Sequence, residues 1–81
     1  MGAGAQDWYT SQVEGGPVKF VTTGMLRRIL EKAQREVVTV IRPPTKHYAQ
    51  TFMEVDASTY APWPGDLVGY RGIQYRVIAD P

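Results

Sequence analysis

His47 is the chain's one histidine, and Glu54 and Asp56 follow it on a stretch that reads as a strand. An imidazole and two carboxylates can exchange protons or begin a metal site. A zinc centre needs three or four ligands, and no second histidine or cysteine completes the set. The serines, Ser11 and Ser58, lie in polar, loop-like sequence without the strained elbow that exposes a nucleophile. The stretch GAGAQ at residues 2–6 is glycine-rich, but it follows no strand and leads to no GK[ST], which a phosphate-cradling loop requires. These residues point away from an enzyme: no catalytic residue, metal ligand or cofactor is expected.

Two binding chemistries remain. Tyr48, Phe52, Tyr60, Tyr70 and Tyr75, near Arg71 and Arg76, could stack on nucleic-acid bases, as OB-like and SH3-like barrels arrange. Arg27, Arg28, Lys32 and Arg35 form the only basic cluster and could contact phosphates, with Arg76 as a further contact. Glu31 and Glu36 on the same stretch balance part of that charge, so a solvated helix face is the plainer reading. The other chemistry is protein assembly through an exposed edge strand, a proline-rich loop carrying Tyr60 and Trp63, the Arg71 tip, and an N-terminal aromatic pair, Trp8 and Tyr9. Other protein subunits, of the same or another chain, are therefore the favoured partners, and nucleic acid the alternative.

The whole chain limits both options. Its 81 residues allow one domain that buries roughly 60% of its unfolded surface, and with no cysteine there is no disulfide to stabilise it. A net charge of +1 lacks the basic excess of a general nucleic-acid binder. No apolar run approaches the roughly 20 residues that span a bilayer, so no membrane partner is expected. The N-terminus MGAGAQDWYTSQ has neither a basic nor an apolar leader region, which predicts a cytoplasmic protein.

The elements that must position these residues follow in order. Residues 1–17, with four glycines, a proline and no periodicity, read as a flexible arm, and residues 18–81 as a single domain. VKFV (18–21) predicts a short strand. Thr22 and Thr23 offer N-caps to a helix over about 24–36, whose apolar stripe is Leu26, Ile29, Leu30, Ala33 and Val37. Arg27–Glu31, Glu31–Arg35 and Lys32–Glu36 are spaced as i,i+4 ion pairs. EVVTVIR (36–42) predicts a strand apolar on both faces, ended by Pro43-Pro44. A longer strand is expected over 45–56, then a loop over 56–65.

The last stretch carries the strongest local signal. Pro64-Gly65 suits the centre of a type II turn, LVGY and IQYRVIA alternate as strands, and Arg71-Gly72 suits a two-residue connection. Tyr70 should pair with Ile73 and Val68 with Tyr75, and Gly69 suggests a bend or bulge. The element count predicts an α+β fold, a small antiparallel, SH3-like, partly open β-barrel of about five strands with one packed helix. An open α+β sandwich is the runner-up.

The segment PGDLVGYRGIQYRVIADP resembles the closing hairpin of small phage-type head-to-tail joining proteins (stoppers or connectors), which follow GD-x-V-x-Y-x-G-x-x-Y-x-V. Gly65, Asp66, Val68, Tyr70, Gly72, Tyr75 and Val77 fit that pattern over about a fifth of the chain. The resemblance implies a ring-forming, non-catalytic structural protein that contacts other virion components through loops and termini.

Overall fold

The computed structural model describes residues 18–81. The expected arm, with Trp8 and Tyr9, lies outside the described residues. Strand β1 (Val18–Thr22) leads into helix α1 (Thr23–Glu31), and strands β2 (Val37–Arg42), β3 (Thr51–Asp56), β4 (Leu67–Tyr70) and β5 (Ile73–Ile78) follow. The five strands form one sheet in the order β1-β5-β4-β2-β3.

The expectation of an antiparallel sheet is corrected at one edge. β1 runs parallel to β5, from Val18 beside Gln74 to Thr22 beside Ile78, so the sheet is mixed. The reason is topological: α1 carries the chain from β1 over the sheet to β2, and the terminal hairpin fills the gap between these two parallel strands. β1 and β3 remain as separate edges, so the sheet is open and does not close into a barrel.

Helix α1 begins where expected, with the Thr22 hydroxyl oxygen accepting from the Met25 backbone N–H at 3.2 Å. It ends at Glu31, five residues short of the expected end at 36. Gln34 takes φ 51°, a left-handed conformation that stops the helix, and tight turns bonded Ala33 N–H to Leu30 O and Glu36 N–H to Ala33 O complete the exit. The shorter helix takes Val37 off the apolar stripe and puts it at the head of β2. None of the three i,i+4 ion pairs forms; Glu36 instead meets Arg71 across the sheet.

Strand β3 is also shorter than 45–56. After Pro43-Pro44 the Thr45 hydroxyl oxygen accepts from the backbone N–H groups of His47 and Tyr48, and Thr45 N–H donates to Tyr48 O. This local side-chain turn competes with the sheet ladder and delays pairing until Thr51.

The terminal hairpin forms as expected, with Tyr70 opposite Ile73 and Val68 opposite Tyr75. Arg71 and Gly72 both have positive φ, 51° and 78°, as a type I′ turn requires. Pro64-Gly65 makes the type II turn, with Gly65 at φ 97° and Asp66 N–H donating to Trp63 O. Gly69, however, marks no bulge, because pairing is regular on both sides of it. A side chain there would put its Cβ 2.7 Å from Thr39 Oγ1 and 3.0 Å from Gln74 Oε1, so the glycine lets two polar side chains close over the strand.

One face of the sheet is roofed by α1. Leu26, Leu30 and Ala33 pack on Val21, Val38, Val40, Val68, Tyr75 and Val77, all buried, with Ile29, Met53 and Val55 at the margin. Strand alternation sends Val18, Phe20, Val37, Thr39, Ile41, Phe52, Glu54, Leu67, Gln74, Arg76 and Ile78 to the other face. No helix among the described residues covers that side. No described helix is long and apolar enough to cross a membrane.

Candidate functional site

Two surfaces stand out, one polar and one apolar. The polar one is a corner where the end of β2, the β3–β4 loop and the start of β4 meet. Asp66 is completely buried there. Its carboxylate accepts from Arg42 Nε at 3.0 Å and Arg42 Nη2 at 2.9 Å, a bidentate fork, and from the Tyr60 hydroxyl at 2.6 Å and the Trp63 backbone N–H at 3.0 Å. The same guanidinium donates to Ala61 O and lies 3.8 Å from the centroid of the Trp63 ring. The hydrogen bond to Asp66 raises the Arg42 pKa above its ordinary value. Burial, reinforced by the hydrogen bond to Asp66, pushes the Tyr60 phenol well above 10.

Tyr60 therefore braces its own domain. Trp63 is half exposed and held flat by Arg42. Arg71, the third expected partner contact in the described chain, lies at the opposite end of β2. There its Nε donates to Glu36 Oε1 at 3.2 Å and its guanidinium sits over Tyr70. That hydrogen bond lowers the Glu36 pKa and raises that of Arg71. The structure brings Tyr60 and Trp63 together and leaves Arg71 apart from them; Trp8 and Tyr9 fall outside the described residues.

The alternative set divides in the same way. Arg27, Arg28, Lys32 and Arg35 lie along α1 and the turn that leaves it, and none joins an ion pair among the described residues. Arg27 and Arg35 help line a groove of about 580 Å³ between α1 and the β3–β4 loop, with Glu31, Ser58 and Tyr60. Arg76 is on the opposite side of the sheet, where its Nη1 donates to Gly65 O at 3.0 Å. His47, Glu54 and Asp56 do not assemble either: Asp56 caps its own turn through Ser58, which lowers its pKa.

Tyr60 gives a pH test of the corner. Its folded pKa is raised, so the protonated phenol's contribution to stability is complete below the unfolded value of about 10 and is lost as pH rises beyond it. Thermal melts should therefore show stability falling above about pH 10, and Tyr60→Phe should flatten that part of the profile. An unchanged alkaline slope in the variant would show that other groups control it.

The apolar surface is the sheet face away from α1, which sequence reasoning did not single out. Phe20 is 68% exposed and Val37 63%, and Val18, Phe52 and Ile78 are also exposed. These five large side chains surround a buried centre of Ile41, Leu67 and Gln74. Gln74 is only 6% exposed, and its Oε1 has no hydrogen-bond partner. Strand alternation alone could have indicated this face: β2 carries apolar residues on both sides, while one short helix can cover only one of them. No protein-family model, curated protein or solved structure matches the chain.

Proposed function

We propose that this chain is a non-enzymatic protein-interaction module that works in an assembly of subunits, and that the sheet face opposite α1 is its interface with a second copy of the chain. The observation that carries this reading is the concentration of Val18, Phe20, Val37, Phe52 and Ile78 on one face without a second layer among the described elements. Exposed apolar side chains gathered on one face in this way mark interaction sites on small proteins. A second copy is favoured because the described residues hold one short helix, which roofs one side of a two-faced sheet, and a second copy can supply cover for the other side of each. The hairpin's resemblance to phage head-to-tail joining proteins fits this reading and extends it to a ring of subunits within a virion.

Phe20→Glu tests the interface. Phe20 is exposed on an edge strand, so the charge should leave the fold intact, as far-UV circular dichroism can verify. Self-association measured by sedimentation should weaken by about thirtyfold, the effect of losing a large aromatic contact and burying a charge in its place. Unchanged association would remove this face from the interface.

A second reading, a nucleic-acid-binding domain, draws on the four basic side chains of α1 and its exit turn, none of which closes a salt bridge among the described residues. Under it, a mobility shift appears at low salt, fades as salt rises, and is lost in the Arg27→Glu/Arg35→Glu double variant. No shift at low salt would dismiss it.

A further inference from the structure

We infer that the segment that seats on this face is the N-terminal arm of the second copy, residues 1–17, anchored by Trp8 and Tyr9. The inference rests on the interface reading above and names the part of the partner that fills it.

The arm ends at Val18, itself a member of the exposed apolar face on edge strand β1. Gly16-Pro17 stands directly before that strand. At roughly 3.3 Å per residue, the stretch from Trp8 to Pro17 spans about 33 Å when extended. The described domain measures 37 × 28 × 22 Å, so the aromatic pair can reach a neighbouring copy's face.

The chemistry of the arm matches the face. Trp8 and Tyr9 supply aromatic surface for a border made of Phe20, Val37, Phe52 and Ile78. The arm's charged side chains, Asp7 and Glu14, are both acidic, and the face carries Arg76 on β5 and Glu54 on β3, so opposite charge meets the arm on the β5 side. At the centre, Gln74 Oε1 is an acceptor without a donor. The Trp8 indole N–H and the hydroxyls of Tyr9, Thr10 and Ser11 are donors of the kind such an acceptor needs. Each copy thus carries one arm and one acceptor face, the reciprocal arrangement of an exchanged element.

Mixing full-length variants tests the exchange. Trp8→Ala/Tyr9→Ala removes the anchor and keeps the face; Phe20→Glu keeps the anchor and spoils the face. Each alone should weaken self-association by about thirtyfold. A mixture of the two should regain association between unlike copies, because one intact arm then meets one intact face. If the arm variant associates like the unchanged chain while Phe20→Glu does not, the face reading stands and the arm assignment falls. If both variants weaken association and the mixture regains none, the arm acts within its own chain and the exchange is overturned. If neither variant changes association, both readings fall.

Discussion

Asp66→Ala is expected to destabilise the fold by about 3–5 kcal/mol, because it removes one partner of a buried ion pair and leaves the other in place. The Asp66 side chain is fully buried, and the Arg42 side chain retains only 20% exposure. Without the carboxylate, the Arg42 fork, the Tyr60 hydroxyl and the Trp63 backbone N–H all lose their acceptor at once. Proteins of this kind hold roughly 0.05–0.15 kcal/mol of stability per residue, so the loss would be a large part of the total for a small domain. Urea unfolding should show the midpoint falling steeply. Asp66→Asn, which keeps the shape but removes the charge, should fall between the two. A loss below about 1 kcal/mol in Asp66→Ala would mean that the corner is solvated and the network contributes little.

Leu26→Ala is expected to remove about 2–5 kcal/mol by opening a cavity beneath the helix. Leu26 is fully buried, and α1 is the only helix among the described residues that roofs the sheet. Neighbouring Ile29 and Leu30 can collapse into the space only as far as the short helix moves, which ends at Glu31 and is pinned at Thr22. The same variant distinguishes the two sheet faces. It should lower the urea midpoint of the monomer, whereas Phe20→Glu should leave that midpoint nearly unchanged and act on association. Equal effects of both variants on monomer stability would contradict the assignment of one face to the core and the other to an interface.

How much of this was legible in the sequence depended on the range of the interactions. The terminal hairpin is written locally: Pro64-Gly65 and Arg71-Gly72 dictate two turns, and alternation between them fixes a register that the structure reproduces. The start of α1 was legible for the same reason, since Thr22 caps a turn three residues away. Its end was not, because Gln34 in a left-handed conformation carries no composition signal as glycine would.

Long-range features were hidden. The parallel pairing of β1 with β5 joins opposite ends of the domain, and short strands with tight turns suggested an antiparallel sheet instead. Arg42 and Asp66 are 24 positions apart, so no periodicity links them. One signal could have flagged the corner: a carboxylate wedged between a Pro-Gly turn and the apolar pair Leu67-Val68 is too close to the core to stay unpaired. For the candidate interface, the sequence offered Trp8, Tyr9, Tyr60, Trp63 and Arg71, chosen as aromatics and charges outside the periodic pattern. The structure uses Tyr60 and Arg71 in internal contacts and presents instead Phe20, Val37 and Ile78, which alternation groups on the sheet face away from α1.

The most direct test of the assembly reading is the sedimentation-equilibrium mass of the full chain over a range of concentrations. A mass that rises above the 9.1 kDa of one chain and returns to it in Phe20→Glu is the expected result. A single 9.1 kDa species at every concentration, indistinguishable between the unchanged chain and the variant, would contradict it.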